Sequence, residues 1–210
     1  MARIEWLGTR SGWRAFPRRR WLYLPLALLL LAGILALALW FLAWGLVPQL
    51  LPQVSYYDLV ANRGVTERLV DPGLFKVEWW EIEGQYRQVL FVHPGPMGSI
   101  AMVYPVKVEP GTTFRADLAV APEAWELAGD GVTFSLYVED EAGMHLLYSQ
   151  YVDPKHQQQD QRWLPMEASL ARFRGKLVRL ILAVGPGPAG DQRYDWAGWG
   201  TPRLERPMWP

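Results

Sequence analysis

The stretch Tyr194-Asp195-Trp196-Ala197-Gly198-Trp199-Gly200 places a phenol, a carboxylate and two indoles within seven residues, with Arg203 close behind. Together these groups suit one kind of recognition. Aromatic faces lie against the apolar C–H face of a sugar ring, the carboxylate accepts hydrogen bonds from hydroxyls, and the guanidinium donates to them. Trp125 and Asp130 are further candidates of the same type, provided that the fold brings them to the same surface. The competing reading is structural: a closing strand with Trp196 and Trp199 in a core, and Asp195 holding a turn. Residues three apart face opposite ways in a straight strand, so a shared platform requires a bulge at Gly198. The adjacent Trp79 and Trp80 must likewise diverge, one inward and one outward.

Other chemistry finds little support. There is no cysteine, which removes disulfides, thiolate nucleophiles and zinc–thiolate sites. His93, His145 and His156 form no closely spaced ligand pair, and none of the six serines lies in a G-x-S-x-G elbow. Glu139, Asp140 and Glu141 resemble a solvated hairpin end rather than an acid/base pair. The glycine-rich run 185–190 lacks the Lys-Ser/Thr ending of a phosphate-binding loop. No catalytic residues, metal ligands or cofactor are therefore assigned, and a binding rather than an enzymatic role is expected.

Charge is unevenly distributed. Of 21 basic and 21 acidic residues, six arginines and a single glutamate fall in the first twenty positions, leaving 15 basic and 20 acidic residues beyond them. A mildly acidic domain offers no footprint for nucleic acid. Residues 21–47 carry no charge at all, and Trp21 and Tyr23 at one end face Trp40, Phe41 and Trp44 at the other. At about 1.5 Å per residue such a run spans a bilayer, and its flanking aromatics suit the headgroup level. The preceding arginines put the N-terminus in the cytoplasm by the positive-inside rule. The expectation is a single-pass anchor in the plasma (inner) membrane, with an extracytoplasmic domain behind it. Ala36-Leu37-Ala38 is the alternative, a signal-peptide cleavage site, but the apolar run continues beyond it.

The rest of the chain must position the candidates. Alternation in 113–120 puts Phe114, Ala116, Leu118 and Val120 on one face, and in 132–139 it does the same for Val132, Phe134, Leu136 and Val138. Strands are expected at 75–82, 86–93, 99–108, 112–120, 132–139, 146–152, 177–184 and 200–204. The segment 177–184 is apolar on both faces apart from Arg179 and reads as a central strand. Turn residues at 129–131 and 141–143 separate the strands, and the loop 185–191 should end the one before it. The expected organisation is a basic tail (1–20), a transmembrane helix (21–47), a juxtamembrane connector (48–74), an all-β two-sheet antiparallel sandwich (75–206) and a short tail (207–210).

The order DGVTF (130–134), Trp163, SLARFRGKLVRLIL (169–182), GPGPAGD (185–191) and YDWAGWGTPRL (194–204) resembles galactose-binding-domain-like jelly rolls, among them carbohydrate-binding modules. The resemblance covers about half the chain. One departure is the absence of an acid before Gly175, where the sequence reads Ala-Ser-Leu-Ala-Arg-Phe-Arg. The resemblance implies a jelly-roll fold and a glycan or other envelope ligand. It also implies a structural Ca²⁺ held by loop carbonyls and Asp, at a place the sequence does not reveal. A rival expectation is an accessory subunit docked on a larger membrane complex.

Overall fold

Strand formation here follows the period-two patterns closely. Val132, Phe134, Leu136 and Val138 are all 0% exposed, and Phe114, Ala116, Leu118 and Val120 lie in the same core. Each large aliphatic or aromatic side chain so buried contributes roughly 1.5–3 kcal/mol, which fixes which face turns inward.

The computed structural model describes residues 27–40, 51–63, 67–68, 75–94 and 99–208. It divides into two units, Met1–Val47 and Pro48–Pro210. In the first, residues 27–40 are helical and exposed. No helix among the described residues is long and apolar enough to cross a membrane. The flanks of the expected 21–47 span lie outside the described residues.

The second unit is a β-sandwich of eleven strands: β1 (Gln53–Asp58), β2 (Glu67–Arg68), β3 (Phe75–Ile82), β4 (Gln85–Val92), β5 (Ile100–Lys107), β6 (Thr113–Val120), β7 (Val132–Asp140), β8 (Gly143–Val152), β9 (Leu164–Ser169), β10 (Leu177–Pro186) and β11 (Ala197–Pro207). The first sheet has the order β3-β4-β11-β6-β9, with β1 also paired to β11, and the second β2-β5-β10-β7-β8. All pairings are antiparallel. The chain changes sheet at every connection except the β3–β4 and β7–β8 hairpins. As its two apolar faces require, β10 is a central strand.

Three expectations need correction. Residues 48–74 are not merely a connector, because β1 pairs with β11 and β2 with β5. A register shift between Ser55 and Tyr57 breaks the alternation that would have marked β1. The strand β9 was not expected, although Leu164, Met166 and Ala168 alternate cleanly inward. Pro165 disguised it, and proline is tolerated there because β9 is an edge strand. The loop 185–191 does not stop β10 at once, since Gly185 and Pro186 still pair with Thr133 and Val132.

The strand β11 organises the first sheet. Its first half pairs with β4 through Ala197↔Val92 to Gly200↔Val89, and its second half with β1 through Arg203↔Asp58 to Pro207↔Gln53. A register shift against β6 falls between Gly200 and Arg203, where Thr201 has φ +42°. The bulge therefore leaves a notch in the sheet between the end of β1 and the start of β4.

Candidate functional site

The outer face of the first sheet carries a second hydrophobic cluster, separate from the core between the sheets. Trp80, Ile82, Val89, Phe91, Ala119, Ala121 and Trp163 form it, with Trp125 and Trp196 packed alongside. Its floor is β11, whose outward positions here are glycines. A Cβ on Gly198 would stand 2.3 Å from Trp80, and one on Gly200 would stand 2.8 Å from Trp163. The two indoles can thus lie on bare backbone, stacked at 6.4 Å with an interplanar angle of 24°. Trp163 Nε1 donates to the Gln85 carbonyl at 3.1 Å, and Trp80 Nε1 to Glu78 Oε2 at 3.1 Å, so both indole N–H groups are satisfied.

Beside this cluster lie two clefts that share His93 and Trp196. One, of about 600 Å³, is lined by Lys76, Glu78, Trp80, Phe91, Glu123 and others. The other, of about 550 Å³, is bounded by Gly190–Tyr194 and Trp196 of the β10–β11 connection. Trp196 is half-buried, and the 41% exposed Tyr194 meets it edge-on at 5.9 Å. Lys76 pairs with Glu78 and covers the Phe91 ring at 4.6 Å. The combination is an apolar wall with acceptors and donors around it, the usual make-up of a small-molecule site.

The structure separates the residues expected to act together. Trp199 is 0% exposed between the sheets, edge-on to Phe134 at 5.2 Å and Phe114 at 6.1 Å. It is a core residue, so the paired platform of Trp196 and Trp199 does not exist. β11 starts only at Ala197, leaving Trp196 in the preceding loop and Trp199 pointing inward. Trp125 is half-buried behind the cluster, its N–H spent on the Val120 carbonyl at 2.9 Å. Arg203 sits away from Trp196, in the notch of about 500 Å³ with Ser55, Asp58, Arg87, Asp117 and Thr201, and is bound to Glu205 at 2.6 Å.

Asp195 and Asp130 belong to the loops behind Trp196. Asp195 is fully buried, and its Oδ1 lies 3.4 Å from Lys155 Nζ. Burial pushes its carboxyl up to about 7, opposed by the Lys155 charge and reinforced by Asp130 and Asp191. Asp130 Oδ2 accepts from the Ala189 N–H, and its carbonyl takes the Tyr151 hydroxyl. Neither carboxylate faces a cleft as a sugar acceptor would.

Those loops also offer carbonyls and carboxylates of the kind a structural Ca²⁺ would need. Lys155 Nζ already donates to the Ala128 carbonyl at 2.7 Å and the Arg193 carbonyl at 3.0 Å, with Asp195 as its third oxygen neighbour. An ammonium and a divalent ion cannot share that centre. Among the described residues no group of three or more His, Asp or Glu side chains is arranged to hold a metal. The residues at this junction do not fit a calcium ion beside the Lys155 ammonium.

Sequence reasoning missed Lys76, Glu78, His93 and Glu123 as wall residues. The β3 alternation, with Phe75 and Val77 against the core and Trp80 in the outer cluster, was the signal that could have found the first two. Trp79 and Trp80 do diverge: Trp80 is 7% exposed and Trp79 68%.

No protein-family model matches the chain. An uncharacterized protein of Archaeoglobus fulgidus is 39% identical over 120 residues, which are 56% of this chain and 30% of that protein. The match thus spans less than a third of that relative. Among solved structures, the CBM27-1 module of Caldicellulosiruptor saccharolyticus in complex with mannohexaose superposes with a TM-score of 0.50 at 11% identity, covering 75% of this chain and 98% of the module. The CBM51-2 and INT domains of Clostridium perfringens ZmpB, with GlcNAc, give 0.46 at 12% identity over 75% of this chain and 30% of theirs. The domain has the β-sandwich fold of carbohydrate-binding modules.

Proposed function

We propose that the domain is a non-catalytic glycan-binding module, and that its ligand lies in the paired clefts around Trp196. The observation that carries this reading is the shared wall. One half-buried indole, backed by the Trp80–Trp163 stack and flanked by Tyr194, separates two clefts whose rims carry Lys76, Glu78, Glu123 and Arg193. Sugar rings on either side would each find an aromatic face and hydrogen-bonding rims. The clefts are open and polar-edged, which suits a hydroxylated ligand better than an apolar one. Binding a glycan is also what the matched CBM27-1 module does in its complex with mannohexaose.

In this reading the module is displayed from a membrane. The described helical stretch 27–40 is apolar and exposed on all sides, with Leu28 to Trp40 between 53% and 71% exposed at the large positions. Such a helix suits an apolar environment, which supports the anchor. With 21–47 as the anchor, the arginine-rich tail lies in the cytoplasm and the sandwich lies outside, in the envelope. The second reading, an accessory subunit of a larger membrane complex, is favoured by the outer face of the second sheet, where Met144, Leu146 and Leu177 are 55–75% exposed.

Screening the full chain in mild detergent against an array that includes mannooligosaccharides, N-acetylglucosamine glycans and envelope polysaccharides tests the proposal. Saturable binding of a defined glycan supports it. A folded domain that binds none of them, together with a stoichiometric protein partner on purification from membranes, favours the accessory subunit.

A further inference from the structure

Three connections meet at one end of the sandwich: the β6–β7 turn at Ala128 and Gly129, the β8–β9 segment carrying Lys155, and the β10–β11 loop with Arg193 and Asp195. The Lys155 ammonium stands at the junction, its side chain only 2% exposed. Its oxygen neighbours come from both other connections: Ala128 O at 2.7 Å, Arg193 O at 3.0 Å and Asp195 Oδ1 at 3.4 Å. Gly129 closes the remaining side. With φ +118° it presents bare backbone, and a Cβ there would lie 2.2 Å from Nζ and 2.4 Å from the Arg193 carbonyl. Asp195 Oδ2 is buried with no hydrogen-bond partner.

Peptide carbonyls and a carboxylate converging on one positive centre are the donor set of a hard cation. A buried carboxylate and turned-in carbonyls repel one another unless such a charge lies between them. Here the charge is covalently tethered, and at one proton per acceptor the ammonium satisfies all three oxygens.

We propose that Lys155 is the resident cation of this junction, holding the three connections as a bound metal ion would and making the fold independent of divalent cations. Removing the ammonium should then leave an oxygen cage that accepts Ca²⁺. The proposal is independent of whether the domain binds a glycan.

The test is thermal unfolding of the full chain in detergent at about pH 8, where the Asp195 carboxyl is ionised, with EDTA or with millimolar Ca²⁺. The wild type should unfold at the same temperature in both. Lys155→Ala should unfold about 5–15 °C lower in EDTA, as expected for breaking a buried ion pair in a domain of this size. Calcium should recover at least half of that loss saturably, and adding Asp195→Asn should abolish the recovery. If Lys155→Ala is unfolded without metal, refolding with and without Ca²⁺ gives the same readout, with a folded product only in calcium supporting the proposal. A wild type stabilised by calcium overturns it, as does a Lys155→Ala chain as stable as wild type or equally impaired with and without Ca²⁺.

Discussion

Trp80 rests on the backbone of Gly198: a single carbon added at that glycine would stand 2.3 Å from the indole and 2.6 Å from Val89 Cγ1. This contact lets a large aromatic from β3 reach across β4 to β11 and form the backing of the clefts. Gly198→Ala should therefore cost about 1–3 kcal/mol, the usual penalty for overpacking. Urea denaturation should show a lowered midpoint with an unchanged slope. A variant as stable as the wild type would show that the ring is free to move.

Trp199 is predicted to serve the core and not the ligand. Trp199→Ala should cost about 3–5 kcal/mol through cavity formation. Trp199→Phe should cost much less, because it also removes an indole N–H that is buried with no hydrogen-bond partner. Glycan affinity should be unchanged in the Phe variant, measured by calorimetry. A loss of affinity without loss of stability would return Trp199 to the binding site.

The fold was legible where one face of a strand is buried and the other wet. The alternations of β6 and β7, and the doubly apolar β10, placed those strands to within two residues of their observed ends. β1 and β9 escaped because a register shift in one and Pro165 in the other disguise the period. The site was less legible. A run such as Tyr194–Gly200 does not reveal where the strand begins, and moving its start to Ala197 decides that Trp199 faces the core and Gly198 and Gly200 face outward. The partners of those glycines, Trp80 and Trp163, lie far away in sequence, so only the assembled sheet brings them together.

Asp195 should leave a pH signature. Its carboxyl is pushed up to about 7 in the folded protein, against about 3.9 in an unfolded chain. The folded state therefore binds this proton more tightly, and the resulting stability is present below about pH 4 and lost as pH rises toward about 7. Asp140, pulled down to about 2 mainly by its hydrogen bond to Lys176 and then by His145, acts only below that window, as does Asp191 beside Arg193. Asp195→Asn should flatten the decline in urea midpoint between about pH 4 and 7. An unchanged slope would mean that other groups cause it.

The topology can be read by labelling, because the chain has no cysteine of its own. A single cysteine at exposed Ser169, in the domain, should react with a membrane-impermeant maleimide on intact spheroplasts. One at Thr9, in the arginine-rich tail, should react only after permeabilisation. The reverse pattern would place the domain in the cytoplasm, and equal labelling of both would remove the anchor.

If Trp196 divides a glycan site in two, titrating the full chain with the best glycan from the array will show it. Tryptophan fluorescence and calorimetry should both show saturable binding. Trp196→Ala should weaken it at least tenfold, about 1.4 kcal/mol, in a chain that is destabilised by the lost packing but still folded at the assay temperature. A Trp196→Ala chain that binds the glycan as tightly as the wild type would mean that the ligand lies elsewhere.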